Sequence, residues 1–290
     1  MPSKTVLVGG ATGYLGRYLT VCLKKAGWRV RALVRNAPRL AEPGPALAPA
    51  VDAYVDEVIE GDVTTPATLR GVCDGVDVVI STVSLMSDTG PLTWDDVDYR
   101  GNRNLLDEAH RAGVRKMCYV SVFNADQMLD IPMVGAHEAF ARDLVESGLE
   151  YAVIRPTGYF SDMGSIMEMA KRGRVFLLGN GRNAGNPIHG ADLATFCVGT
   201  LDGESGTFDV GGPETMTMEE IAVLAFRTLQ QPARITRVPL PIASAGVSLY
   251  RTINRKPADL GRFFVRSGSL DFHAPSFGTQ RLADHFRDLR

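Results

Sequence analysis

Three glycines spaced three residues apart, Gly10, Gly13 and Gly16, interrupt a chain that is apolar on both sides of them. Ahead of them, Thr5-Val6-Leu7-Val8 has the character of a buried strand. After them, Tyr18, Leu19, Val21, Cys22 and Leu23 repeat as the inward side of a helix. Strand, glycine turn and helix start, in that order, form the arrangement that holds a pyrophosphate. Glycine lets the backbone approach the phosphates, and the helix N-terminus presents unpaired N–H groups and a partial positive charge. The spacing alone also marks ordinary tight turns; the strand–turn–helix context is what points to a dinucleotide. The expected contacts are Gly10, Thr12, Gly13, Tyr14, Leu15 and Gly16.

A second group of chemical interest closes the next strand, Arg29 to Arg35. An acid here would bond to the adenosine ribose hydroxyls, whereas an arginine suits a 2′-phosphate. The chain supplies Arg35, with Arg39 four residues later and no acid between them. A guanidinium meets phosphate as a planar fork and can stack on adenine. The plainer role, solubilising a loop, is weaker, and NADP(H) is expected over NAD(H).

These groups need a sheet to position them. Val55 to Glu60, Val76 to Ser81, Val114 to Val122 and Tyr151 to Arg155 read as further strands, with a helix over Val97 to Arg111. Strands alternating with helices predict a doubly wound parallel sheet, a Rossmann fold of the α/β class, with its site at the carboxyl ends of the strands. Those ends carry Asp62 and Val63, then Thr82, Val83 and Ser84, small and polar enough to let a cofactor pass close by, then Ser121 and Asn124. Asp62 suits either the adenine amino group or the capping of its own turn. Thr64-Thr65-Pro66 reads as the start of a helix.

The 290 residues suffice for a nucleotide domain and a smaller lobe, and a hydrophobic fraction of 45% supplies an ordinary core. A formal charge of -2 advertises no nucleic-acid partner. Cys22, Cys73, Cys118 and Cys197 fall in apolar patterns without a CxxC pair, so buried free thiols are expected rather than disulfides or a metal site. No signal peptide is evident and no apolar run is long enough to span a bilayer, so a cytoplasmic protein with no membrane partner is expected.

Gly9-Gly10-Ala11-Thr12-Gly13-Tyr14-Leu15-Gly16, Arg35, Gly61-Asp62-Val63 and Ile154-Arg155-Pro156-Thr157-Gly158 together resemble an atypical short-chain dehydrogenase/reductase, of the NmrA-like and isoflavone-reductase-like kind. The resemblance is strongest from residue 1 to about 210. It implies a Rossmann domain over 1–155 with a return segment near 190–211, and a substrate lobe from 156–189 and 212–290. It also implies NADPH-dependent reduction of a carbonyl or activated double bond of a small, largely apolar molecule, by a monomer or homodimer. Other such proteins are non-redox isomerases or lyases, and some only sense the cofactor.

The family's usual Tyr and Lys, four residues apart, match Met133 and His137 here, so both are replaced. His137 is the sharpest substitute, because imidazole titrates near neutrality; its plainer reading is a helix-surface histidine beside Glu138. Ser121 and Tyr159 are the other catalytic candidates, and Pro156, Thr157 and Gly158 form the loop expected under the nicotinamide. His189 reads as structural, with Asp192 capping the helix that follows. The methionines of 161–172 suit a pocket lining or, more commonly, core filling. Thr217 and Glu220 carry the spacing of a capping box. The chain from Ile242 to Val265, apolar but studded with Arg251, Arg255, Lys256, Arg262 and Arg266, suits a lid over the substrate pocket, a membrane-surface contact or a subunit contact, a packed lid being simplest.

Overall fold

The computed structural model describes residues 4–85 and 90–290. The central strands are built from runs that leave no polar face. In β1 (Thr5–Gly9) every residue is buried, and the first helix, α1 (Tyr14–Lys25), follows directly after the glycine turn. Then come β2 (Arg29–Val34), β3 (Glu57–Glu60) and the fully buried β4 (Val78–Ser81). A wide π-type turn over Asp95–Gly101 runs into α2 (Asn102–Ala112), followed by the buried β5 (Lys116–Val120), α3 (Pro132–Glu146) and β6 (Glu150–Pro156). Among the described residues, the main sheet runs β3-β2-β1-β4-β5-β6 and ends on a seventh strand, β9, spanning Gly206–Val210. The pairings from β3 through β6 are parallel. Continuous apolar strands are what a parallel sheet covered on both faces demands. This is the doubly wound Rossmann arrangement predicted from the sequence.

The chain forms two compact units. The first comprises residues 1–122, 133–155 and 193–208. Its core joins Leu7, Val79, Met117 and Val153 of the strands to Leu105, Leu106 and Phe140 of α2 and α3. Burying each such side chain contributes roughly 1.5–3 kcal/mol. Lys116, fully buried at the start of β5, donates to the carbonyls of Thr200 and Gly203, both at 2.8 Å. Burial pushes its ammonium below the usual lysine range. All four cysteines lie in this unit, as free thiols. Burial and the nearby Glu108 carboxylate push the Cys73 thiol up to about 12, and hydrogen bonding to Cys118 together with burial raises that of Cys197.

The second unit comprises 123–132, 156–192 and 209–290. Its core gathers Phe160, Ile166, Met167 and Ala170 of α4 (Phe160–Lys171), Phe226 of α6 (Met218–Thr228), and Leu282 and Phe286 of α9 (Leu282–Asp288). The inward methionine of α4 therefore fills core. Small sheets complete the unit: β7 (Val175–Leu178) runs parallel to β11 (Ile235–Val238), and β8 (Ala184–Gly185) pairs antiparallel with β10 (Met216–Thr217). The predicted capping box exists: Thr217 Oγ1 accepts from the Glu220 N–H and Glu220 Oε2 accepts from the Thr217 N–H. Its bonds hold the Glu220 carboxyl below its usual range. The remaining helices are α5 (Gly190–Gly199), α7 (Leu240–Arg251) and α8 (Arg255–Ser267).

Two local expectations fail for identifiable reasons. The segment after Thr65 makes only a short 3₁₀ turn over Pro66–Leu69, and left-handed glycines at Gly71 and Gly75 follow it. Asp192 does not cap a helix start; it lies inside α5, and its Oδ2 accepts the N–H groups of Thr279 and Gln280. Among the described residues, no helix is long and apolar enough to cross a membrane.

Candidate functional site

In the first unit the glycine turn has the geometry a pyrophosphate needs. Gly10 sits at φ +82°, and a Cβ there would lie 2.7 Å from Thr82 Oγ1. A Cβ on Gly16 would lie 2.1 Å from the Gly10 carbonyl oxygen, so only glycine lets the helix start so close to the turn. The Gly13 N–H donates to the Gly10 carbonyl at 2.9 Å, and no side chain caps α1. Tyr14, Leu15 and Gly16 form the first turn of that helix. A cradle that a methyl group would fill, ending on an uncapped helix start, fits a bound dinucleotide.

Arg17, next to the last glycine, is buried, and among the described residues no carboxylate is bonded to its guanidinium. It donates to the carbonyls of Thr12 at 3.0 Å, Arg39 at 2.6 Å, Glu42 at 2.5 Å and Pro49 at 2.9 Å. One planar fork thus ties the glycine turn to the segment following β2, which carries Arg35 and Arg39. Burial and the Arg39 charge lower the Arg17 guanidinium pKa. Arg35 itself is exposed just past the end of β2. Asp62 caps its own turn, its Oδ1 accepting from the Thr64 N–H at 2.8 Å and the Thr64 hydroxyl at 2.7 Å. Val63 is buried, and its carbonyl accepts from Asn104 at 2.8 Å.

The end of β4 is held by buried Asn102. Its Oδ1 accepts from Ser81, and its Nδ2 donates to the carbonyls of Asp98 at 2.9 Å and Val83 at 3.2 Å. The Thr82 hydroxyl and N–H both turn back onto the Gly9 carbonyl. Ser84, half-buried, donates to Asp98 Oδ1 at 2.6 Å, while Oδ2 of the same carboxylate accepts the Leu85 N–H at 3.1 Å.

His137 joins this group, and the helix-surface reading of it does not hold: its exposure is 6%. Nε2 lies 3.0 Å from Asp98 Oδ1, and Nδ1 lies 2.6 Å from the Tyr119 hydroxyl. Asp98 and Tyr119 are both fully buried. A carboxylate only accepts, so in the neutral ring Nε2–H donates to Asp98 and Nδ1 accepts the Tyr119 proton, which fixes the tautomer. The result is a chain Tyr119–His137–Asp98–Ser84, buried at one end and half-open at Ser84. Ser84 Oγ also lies 3.5 Å from His137 Nε2. Beside it, Ser121 donates to Glu138 Oε1 at 2.6 Å, and Arg155 donates to Glu138 Oε2. The Ser121 proton is therefore committed to a neighbouring carboxylate.

The remaining candidates lie in the second unit. Pro156 ends β6, Thr157 donates its hydroxyl to the Asn186 carbonyl at 2.6 Å, and Gly158 has φ +146°. Tyr159 is the N-cap of α4, its N–H donating to Asp162. Asn124, left-handed at φ +54°, donates to the Asp271 carbonyl. His189 packs against Phe160 and His285, in keeping with a structural role. Asp98, Tyr119, Asn102 and Arg17 were not singled out by the sequence. Only Arg17, abutting the glycine turn, carried a positional signal there.

A family model for NAD(P)H-binding proteins matches residues 10–204. The chloroplastic divinyl chlorophyllide a 8-vinyl-reductase of Zea mays is 29% identical to this chain, over 98% of the chain and 78% of its own length. The photosystem II assembly factor Ycf39 of Trieres chinensis is 28% identical, over 81% of the chain and 72% of its own length. An NADPH-dependent quinone oxidoreductase from Escherichia coli, solved with NADPH, superposes with a TM-score of 0.74 at 21% identity, covering 98% of this chain and 99% of its own.

Proposed function

The chain belongs to the NAD(P)H-binding family, and from that premise we propose that it is an NADP(H)-dependent oxidoreductase reducing a carbonyl or activated double bond of a small, largely apolar molecule. The observation that carries this reading is the chain Tyr119–His137–Asp98–Ser84, in the same unit as the glycine turn. Two relatives support it by their own activities, one named a vinyl reductase and the other a quinone oxidoreductase.

When bound, the nicotinamide supplies the hydride. The protein's part is to hold the dinucleotide and to deliver a proton. Gly10, Gly13 and Gly16, with the first turn of α1, hold the pyrophosphate, and Arg35 reads the 2′-phosphate. Thr12, Asp62, Val63, Thr82, Val83, Pro156, Thr157 and Gly158 remain the expected surroundings of the cofactor. Ser84 is the half-open end of the polar chain and hands its hydroxyl proton outward. Asp98 orients Ser84 and His137 at once. As Ser84 gives up its proton, His137 passes its Nε2 proton to Ser84 Oγ and takes the Tyr119 hydroxyl proton on Nδ1. The Tyr119 phenolate is reprotonated when a solvent proton enters at Ser84 and runs the same path in reverse. In this scheme His137 acts through Ser84, because both of its ring nitrogens are engaged by protein groups.

The chain's expected setting is cytoplasmic, as a monomer or homodimer acting on a small molecule rather than nucleic acid. Single-turnover monitoring of NADPH absorbance against enones, ketones and quinones tests the activity. Oxidation of NADPH by at least one class supports the reading, and silence across the panel overturns it. The replacement of the family's tyrosine by Met133 favours a second reading, a protein that holds NADP(H) without turnover. Tight NADPH binding combined with that silence would select it.

A further inference from the structure

Helix α7 is apolar along most of its length, LPIASAGVSLYR, yet none of its residues is buried. Ile242 and Leu249, seven residues apart and so on one side of the helix, are 64% and 71% exposed. Beyond the helix end, Ile253 reaches 79%. The helix is held in place from its other side by α8, where a Cβ on Gly261 would lie 3.0 Å from Val247 Cγ2. A packed lid, the simplest sequence reading of this stretch, is therefore not what α7 forms.

Charge distinguishes what the exposed side fits. From Ile242 to Arg266 the chain carries five basic residues and a single acid, Asp259. That acid is 7% exposed and lies between Arg251 at 3.3 Å and Arg262 at 3.6 Å. The corner joining the two helices, Leu249 to Lys256, thus combines Leu249, Tyr250 and Ile253, all exposed, with Arg255 and Lys256 and no acid.

We propose that this corner docks on an anionic lipid bilayer. Leu249, Tyr250 and Ile253 enter the boundary between headgroups and acyl chains, while Arg255 and Lys256 meet the lipid phosphates. A second copy is the poorer occupant, because a two-fold contact sets the basic corner of one copy against that of the other. The proposed contact is peripheral; among the described residues no helix is long and apolar enough to cross a membrane. It replaces the expectation of no membrane partner and stands independently of the reductase reading.

The test is co-sedimentation of the full chain with vesicles of phosphatidylcholine alone and of phosphatidylcholine with phosphatidylglycerol. Partition onto the phosphatidylglycerol vesicles, weakened by added salt, is expected. Leu249→Glu with Ile253→Glu, and separately Arg255→Glu with Lys256→Glu, should each lower it by about tenfold or more. NADPH binding and the thermal unfolding curve report that both variants remain folded. Equal partition onto the two kinds of vesicle, or double variants that bind like the parent, overturns the proposal. A vesicle-indifferent chain that dimerises in solution, and whose dimer the same variants dissociate, assigns the corner to a second copy instead.

Discussion

His137 Nε2 lies 3.0 Å from Asp98 Oδ1, and that one carboxylate also binds Ser84 and the backbone of Leu85. Asp98 therefore sets the orientation of the two side chains that the proposed reaction uses. Asp98→Asn keeps the shape but adds an N–H₂ where an acceptor was required. We expect single-turnover NADPH oxidation to fall by about 10²-fold or more, the scale of general acid catalysis, with the NADPH dissociation constant nearly unchanged. An unaltered rate would reduce the chain of hydrogen bonds to scaffolding. Ser84→Ala should reproduce the loss while leaving the His137–Asp98 contact in place.

Arg35 is exposed at the end of β2, where the ribose phosphate of NADPH is expected. Arg35→Asp should weaken NADPH binding by roughly ten- to a hundredfold, the worth of a charge-assisted bond. NADH binding should change far less. Fluorescence titration with both nucleotides measures this, and equal losses would remove Arg35 from phosphate recognition.

Arg17 donates to four carbonyls that have no obvious replacement donor. Arg17→Met should cost about 1–3 kcal/mol in urea unfolding, since it leaves four part-buried carbonyls without this donor. Hydrogen exchange should quicken across residues 39–49 before it does in β1. Arg17→Lys keeps the charge but not the fork, and recovers only part of the loss. Uniform exchange across the chain would show that Arg17 does not act on this segment.

His285 is buried in the second unit against Phe160 and His189, and burial pushes its imidazole down to about 4. The folded state favours the neutral ring. Its contribution to stability is complete above the ordinary histidine pKa near 6.5 and is lost as pH falls from there to about 4. The full shift corresponds to up to about 3 kcal/mol. His189, also lowered by burial, adds in the same direction. Urea unfolding at pH 7 and pH 5 should show a clear drop for the parent and a smaller one for His285→Phe. Parallel losses in both would place the acid sensitivity elsewhere.

What was legible in the sequence was local. The glycines at 10, 13 and 16 announce themselves by their spacing, and at Gly10 and Gly16 a side chain would collide with the turn; the strand ends follow from apolar runs of fixed length. Thr217 and Glu220 form their capping box from a spacing of three. His137 could be ranked but not understood, because Tyr119 arrives from a strand and Asp98 from a wide turn ahead of α2. Neither position carries a spacing that relates it to His137. Asp192 misled for a similar reason: its backbone partners, Thr279 and Gln280, come from the far end of the chain. Proline and threonine at 65–66 are true helix-start residues, but glycine closes the segment before a second turn can form.

The distribution of sulfur gives each unit its own handle. Cys22, Cys73, Cys118 and Cys197 all belong to the first unit, three of them fully buried, and the second unit has no thiol. A thiol reagent in slight excess is therefore a clock for opening of the first unit alone, with Cys22 the earliest to react and Cys73 marking loss of its core. A single cysteine introduced at Ile253 would carry a fluorophore on the second unit, so that the two units could be followed separately in one unfolding experiment.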